Sequence, residues 1–510
     1  MTIESRLLAN GQAIRLSELP ELPFEQFSAE LTTAVAGGGA RLLALFADRP
    51  GDLPGDQAEV FAVLGLEAGR LAVLRSRVGR AFPSLTPACP QAHLFEREMA
   101  ESFGVVPEGH PWLKPVRFHR VWSGRADAWG RDPSRHPEPG EMEYFQVEGL
   151  EVHEVGVGPV HAGVIEPGHF RFQCFGEKVL HLEISLGYQH RGIEPLLVGG
   201  PWPQSAARLE TLAGDTTIGH MTAACLALEA LAGCTVPPRA LAIRELALEL
   251  ERLANHVGDL GALAGDVGFL PTSAYCGRLR GEFLNLSVAI CGSRFGRGLV
   301  RPGGVRFGID ADLASSMRER LTQAASHTRG AVDLFFETPS VLARLEDSGR
   351  VGREDAVALG LVGVAGRACG LDCDTRRHFP APATALPLDW PALLDEDGDV
   401  QARALVRRQE IEESIRRAMA ILNLEPDGPL AAPAGSLAPH SLAVGLVEGW
   451  RGRIAHVVLT DGQGRVRRHK VVDPSFFNWS GLAMALRDEQ ISDFPLCNKS
   501  FNLSYCGFDL

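Results

Sequence analysis

Between residues 238 and 269 the sequence PRALAIRELALELERLANHVGDLGALAGDVGF keeps Leu and Ala on one face of a helix and Glu and Arg on the other. It is the clearest of a series of long helical patterns running from about residue 203 to 425, and it commits much of the later chain to a helical body. The opening part reads differently. Residues 24–47, FEQFSAELTTAVAGGGARLLALFA, begin as an amphipathic helix and pass through a glycine turn into a strand-like run. Residues 58–78 hold two β-competent runs around Glu67, Ala68 and Gly69, a hairpin signal, and residues 90–104 carry apolar residues at helical spacing. An α+β domain is the economical expectation there. The segment 123–141, SGRADAWGRDPSRHPEPGE, is rich in Pro, Gly and charge and reads as a linker. A chain of 510 residues exceeds what one core usually organises. The expected order is therefore an α+β domain over 1–122, a linker over 123–145 and a mainly α-helical domain with small antiparallel strand elements over 146–510. Within the last, residues 153–189 alternate as a few strands would, and residues 451–474 form a second hairpin signal around Asp461, Gly462, Gln463 and Gly464.

Charge and composition remove several function classes. The net charge of −13, with no Lys/Arg block, argues against nucleic acid and against a polybasic membrane anchor. No apolar run reaches the ~18–20 residues that span a bilayer, and the start MTIESRLLANGQAIRL lacks a basic-then-apolar signal pattern. The expectation is a cytoplasmic protein. Ten scattered cysteines without a CxxC pair suit reduced, buried thiols. Cys369 and Cys373, followed by His378, come closest to a site, but zinc or a cluster wants four ligands at tighter spacing. No GxGxxG follows a strand and no GxxxxGK[ST] occurs, so a nucleotide, NAD included, is expected on another subunit.

One stretch poses a question. LETLAGDTTIGHMTAACLALEAL, residues 209–231, resembles the approach to a reaction centre from which the catalytic groups have been removed. Other strings explain it. Residues 82–118, FPSLTPACPQAHLFEREMAESFGVVPEGHPWLKPVRF, resemble the C-type subunit of the proton-pumping NADH:quinone oxidoreductase, complex I. Residues 157–197, VGPVHAGVIEPGHFRFQCFGEKVLHLEISLGYQHRGIEPLL, resemble the D-type subunit of complex I and the large subunit of energy-converting [NiFe] hydrogenases of the formate-hydrogenlyase type. RELALELERLANHVGDLGALAGDVGF, CGSRFGRGLVRPGGV, GRACGLDCDTRRHFP and DPSFFNWSGLAMALRDEQISDFPL continue the resemblance in order, over roughly residues 75–510. The chain thus resembles a C/D fusion.

In those hydrogenases four thiolates, from RxCGxC and DPCxxC motifs, hold nickel and bridge it to iron, a task for soft deprotonated sulfur. Setting the motif histidine on His220 puts the ligand positions on Ala213, Thr216, Ser504 and Gly507, with Cys506 one place out of register. The chain also stops at Leu510, without the extension that such hydrogenases cleave. The resemblance thus implies a metal-site scaffold without Ni–Fe, and no metal or cofactor bound in this chain. The D-type subunit of complex I keeps a quinone site instead. Its aspartate matches Asp266 and its histidine matches His161 or His169, but no tyrosine stands between Tyr188 and Tyr275 to supply its phenol.

The loop Tyr188–Glu194 resembles one that faces the proximal iron–sulfur cluster of a small subunit, with His190, Arg191 and Glu194 as the polar residues that a cluster would feel. Arg252, Asn255, His256 and Asp259 fall on one helix face; they read equally as a solvated or subunit-facing stripe and as a buried proton relay. Arg294, Arg297 and Arg301 read as an interface feature or as surface charge. The resemblance implies an iron–sulfur small subunit and antiporter-like membrane subunits as partners, which would hold the protein on the inner face of the membrane. Three readings stay open: a subunit that reduces a quinone or another acceptor in the old cavity, a coupling or structural subunit whose cavity is closed by Thr216, Phe501 and Tyr505, and a nickel enzyme with unusual ligands.

Overall fold

A computed structural model describes residues 7–510, apart from 52, 54, 55, 123–125, 133, 162–164, 200, 201, 388 and 425. The architecture is an α+β unit followed by a mainly helical body with small antiparallel sheets, as the sequence predicts. The first hairpin forms where expected: Ala58–Leu66 pairs antiparallel with Arg70–Val78, and Ala68 turns at φ 58°. Ala40–Asp48 extends this sheet beyond Ala58–Leu66. Both strands are buried along nearly their whole length, which explains their continuous apolar sequences. The helix Phe24–Ala36 packs against Ala40–Asp48 and Arg70–Val78, burying Phe27, Leu31 and Val35.

A second sheet covers that unit. Its strands Ser441–Glu448, Arg453–Thr460 and Val466–Val472 follow one another antiparallel, and the short N-terminal strand Ala13–Arg15 completes its edge by pairing with Ser441, Leu442 and Ala443. Arg467 from this sheet reaches Asp48 at 2.7 Å and Glu59 at 2.8 Å in the first. Asn10 bonds the carbonyls of Phe379 and Leu446. The N-terminal residues are therefore stitched into the later chain along a continuous apolar core. A third sheet, of Val152–Val157, His169–Phe175 and Lys178–Ser185, carries the chain toward the site.

In the helical body the long helix Pro238–Asp266 packs against Leu270–Cys291 and Val400–Leu422. Proline at its first positions costs it nothing, since those amides have no helical partner. The preceding helix, Thr217–Ala232, consists largely of small residues because it lies directly on the second sheet. There a Cβ on Gly445 would stand 2.1 Å from the Ala223 carbonyl oxygen. Gly445→Ala is expected to cost ~1–3 kcal/mol by forcing helix and sheet apart. Gly330→Ala, in a helix where a Cβ meets nothing within 4 Å, should instead stabilise by ~0.5–1 kcal/mol. Thermal unfolding of the two variants side by side checks both signs. Among the described residues no helix is long and apolar enough to cross a membrane, and all ten cysteines are free thiols.

Candidate functional site

The two segments assigned to the lost thiolates lie against each other, and arginines join them. Arg191 donates to the carbonyls of Thr211 at 2.6 Å and Leu212 at 3.1 Å, and across to that of Cys506 at 3.3 Å. Arg451 grips Asp215 through both carboxylate oxygens, at 2.7 and 2.8 Å, and donates from Nε to the Asn502 carbonyl at 2.5 Å. Its guanidinium lies 3.8 Å over the Trp450 ring. Burial would raise the Asp215 carboxyl, but Arg451 with the Thr216 hydroxyl holds it below the usual range.

The four ligand positions are buried and offer no sulfur. Ala213 presents a methyl group and Gly507 none. The Thr216 hydroxyl lies 3.0 Å from an Asp215 oxygen and accepts from Trp450 Nε1 at 3.1 Å; Ser504 Oγ accepts from the Gly507 amide at 2.9 Å. Burial, with Glu166 adding to it, pushes the Cys506 thiol up to about 11, so it stays protonated. Engaged hydroxyls, one neutral thiol and an arginine bridging the segments do not fit a Ni–Fe centre, which needs deprotonated sulfurs. Among the described residues no group of three or more His, Cys, Asp or Glu is arranged to hold a metal ion.

Each of the other predicted residues has a definite place. His190 stacks on His119 at 4.6 Å and bonds the Asp509 carbonyl at 2.7 Å; burial pushes its imidazole down to about 3. Glu194 is buried. Burial acts to raise its carboxyl, but Arg468, Lys470 and Arg117 together hold it far below the usual range, with Arg468 at 2.8 Å and Lys470 at 3.2 Å. The stripe on the long helix is buried, which removes the solvated alternative for it. Arg252 donates to the Gly449 and Glu448 carbonyls, His256 meets Glu410 at 2.7 Å, and Asp259 accepts from Arg407 at 2.8 Å and Asn502 at 2.5 Å.

The acceptor residues are less concentrated. His161 bonds the Gly168 carbonyl and His169 bonds the Gly158 carbonyl, both at 3.1 Å, so the two rings brace one loop. Asp266 is exposed at the end of the long helix, where burial raises its carboxyl and Lys499 opposes the rise. Two phenols approach the histidine loop: Tyr144, whose ring stands edge-on to His169 with centroids 5.6 Å apart, and Tyr505, whose ring a Cβ on Gly168 would meet at 2.6 Å and whose hydroxyl burial pushes up to about 12. Cys369 and Cys373 are buried, with Sγ on the Ala365 and Gly363 carbonyls.

Two features escaped the sequence reading. Glu410 lies at the centre of a buried ionic cluster with His256 at 2.7 Å, Arg376 at 2.7 Å and Arg367 at 2.9 Å, and Arg367 also meets Glu448 at 2.7 Å and Asp374 at 3.6 Å. Arg367, Asp374 and Arg376 stand in GRACGLDCDTRRHFP, where attention to the cysteines passed over the charges. Behind Gly507, Asp473 accepts from His220 at 3.0 Å; His220 meets His456 at 3.1 Å, and His456 meets His469 at 2.8 Å. Burial lowers His456 well below its ordinary value and His469 to about 4, so both are neutral. Register would have revealed the pair: His456 faces Val471 and His469 faces Val458, diagonal neighbours on one face of the hairpin.

The site's rim adds a pH effect. Glu251 accepts from the Ile218 and Gly219 amides that open the helix Thr217–Ala232, at 2.7 and 3.1 Å. Burial nevertheless pushes its carboxyl up to about 8, and Asp215 adds to the rise. A folded value above the unfolded one means that folding takes up a proton. That contribution is complete below about pH 4.5 and is lost as pH climbs through about 8. The thermal midpoint should fall between pH 6 and 9, and Glu251→Gln should flatten the fall.

The family described as respiratory-chain NADH dehydrogenase, 30 Kd subunit, matches residues 32–138, and the 49 Kd subunit family matches residues 266–443 and 432–509. The carbon monoxide-induced hydrogenase of Rhodospirillum rubrum is 32% identical over 354 residues, 69% of this chain and 98% of the relative. The chain belongs to this respiratory-chain NADH dehydrogenase family and its hydrogenase relatives. Formate hydrogenlyase subunit 5 of Escherichia coli (strain K12) is 29% identical over 92% of this chain and 85% of its own length. The fused C/D-type subunit of the NADH-quinone oxidoreductase of Bacteroides thetaiotaomicron is 28% identical over 75% of this chain and 76% of the relative. The match to the smaller subunit precedes the match to the larger one in this one chain, the order in which the α+β unit precedes the helical body.

Proposed function

We propose that this chain is the core subunit of the peripheral arm of a membrane-bound energy-converting complex related to NADH-quinone oxidoreductase and formate hydrogenlyase. Residues 1–122 form its C-type part, 123–145 link, and 146–510 form its D-type part. An iron–sulfur small subunit sits against His190 and Arg191, with Glu194 behind them. Electron arrival there shifts charge in the ionic cluster around Glu410 that includes Arg252 and His256, and at the Asp259–Arg407 pair on the same helix face, and antiporter-like membrane subunits use that shift to move ions. Those partners hold the chain on the inner face of the membrane. Hydrogen is not turned over.

The observation that carries this reading is the Arg451–Asp215 pair, which joins the two segments that thiolates would have to occupy. A fixed ion pair there lets charge be felt without a metal. Purifying the tagged chain from its own cells tests it. The expected result is a cluster-bearing small subunit in stoichiometric amount, no nickel by elemental analysis and no hydrogen evolution. Stoichiometric nickel, or hydrogen evolution that needs this chain, overturns it.

Tyr505 favours a second reading, in which a quinone is reduced at His161, His169 and Asp266. A phenol that keeps its proton can donate to a quinone carbonyl, and Tyr505 supplies one beside the histidine loop. Tyr505→Phe should then abolish quinone-dependent oxidation of the reduced complex while leaving its composition intact.

A further inference from the structure

Beside the ionic cluster, and lined in part by its Arg376 and Glu448, a cavity of about 620 Å³ opens between the turn at Gly11, the helix Thr217–Ala232, the long helix and the loop that follows Thr375. That volume lies within the ~300–1,000 Å³ common for small-molecule sites. Five buried polar atoms on its lining residues have no hydrogen-bond partner: Thr222 Oγ1, Glu245 Oε2, Thr375 Oγ1, Arg376 Nη1 and Trp390 Nε1. Thr375 and Trp390 are themselves 2% and 5% exposed. Buried polar groups are nearly always paired, because an unpaired one forfeits ~1–3 kcal/mol. Five around one space point to an occupant.

The chemistry of that occupant follows from the lining. Leu226, Leu248, Phe379 and Leu446 make an apolar wall. At the polar end the Arg376 guanidinium lies 3.3 Å from the Trp390 ring centre and Arg417 lies 5.1 Å from it. Their charges are already answered, Arg376 by Asp374 and Glu410, and Arg417 by Asp389. Glu245 accepts from the Ala385 amide through its other oxygen, and burial pushes its carboxyl up to about 7. Below about pH 7 Glu245 keeps its proton, and with Arg376 and Arg417 already paired the polar end presents no excess charge to a ligand.

We propose that this cavity binds a small organic molecule with an apolar body and an uncharged head that both accepts and donates hydrogen bonds, of the primary-amide kind. The head accepts from Trp390 Nε1 and Arg376 Nη1 and donates to Glu245 Oε2, and the body lies against Leu226, Leu248 and Phe379. The site borders the ionic cluster through Arg376, which pairs with Glu410, but its proposed contacts use neither the cluster-facing loop nor the degenerate metal positions, so binding is tested whether or not the function proposed above holds.

Three probes with one tail separate the chemistry: octanamide, octanesulfonate and octyltrimethylammonium, titrated calorimetrically into the full-length chain. Octanamide is expected to bind saturably at one site, at least tenfold tighter than either charged probe. Trp390→Phe keeps the ring and removes the donor, and should weaken octanamide about fivefold to tenfold. Leu226→Trp fills the half-buried wall and should abolish binding with every polar group intact, which keeps the test decisive if the Trp390 variant folds poorly. Absence of saturable heat, equal affinity for all three heads, or unchanged binding in the filled variant overturns the proposal and leaves a cavity that holds only water.

Discussion

Replacing Arg367 by methionine will cost ~3–5 kcal/mol at neutral pH, because it removes the cation that three buried carboxylates share. Arg367 is 1% exposed and bonds Glu410 at 2.9 Å and Glu448 at 2.7 Å, with Asp374 at 3.6 Å. Burial alone would raise the Glu410 carboxyl; Arg367 and Arg252 hold it well below its ordinary value. The sign with pH follows. A depressed folded value gives stability that is present above the unfolded value, about 4.5, and lost as pH falls through the folded one. The variant forfeits that contribution, so the gap between variant and parent should be full at neutral pH and narrow only below about pH 4.5. Glu448→Gln added to Arg367→Met should recover part of the loss, since contacting residues do not behave additively. Thermal midpoints at pH 3.5 and pH 7.5 decide it; a gap of the same size at both would mean that Arg367 acts through packing alone.

Arg451→Ala should cost a similar ~3–5 kcal/mol, for it leaves Asp215 without its cation and removes the bond to the Asn502 carbonyl. The loss should also be local. Hydrogen exchange is expected to accelerate at the amides of Ser504 and Gly507 and at the start of the helix Thr217–Ala232, while the sheet around Ala58–Leu66 stays protected. Arg451→Lys keeps the charge but not the two-pronged grip, and should fall between. If exchange instead rises evenly across the chain, Arg451 is a general stabiliser and does not specifically join the two segments.

How much could be read beforehand varied with the range of the interaction. The long helix and both hairpins were legible because side-chain period and turn residues are local signals. The assignment of Ala213, Thr216, Ser504 and Gly507 as ligand positions rests on the frame that ordered motifs supply. The ionic cluster was not, because Arg367, Asp374, Glu410 and Glu448 come from separate elements and a charge in an apolar run does not announce its partner. In sequence Tyr505 reads only as a residue that closes the cavity, because the resemblance implies a phenol ahead of the small-residue helix, whereas the fold delivers one from the C-terminal segment to Gly168. The stripe at Arg252, His256 and Asp259 stayed ambiguous in sequence, since burial of a polar helix face depends on what covers it. The helix Val400–Leu422 supplies Glu410 and Arg407 to that face.

The strand Ala13–Arg15, with Asn10 just before it, has a consequence for biosynthesis. Asn10 accepts from the Leu446 amide, 436 residues away. At ribosomal speeds of ~5–20 residues per second, about 20–90 s pass before that mate is even synthesised. Throughout that interval Ala13–Arg15 has no neighbour to pair with, and the apolar face awaiting the second sheet is open to passing chains. Nascent polypeptide released early, or translated too slowly, should therefore depend on chaperone protection far more than the finished protein does.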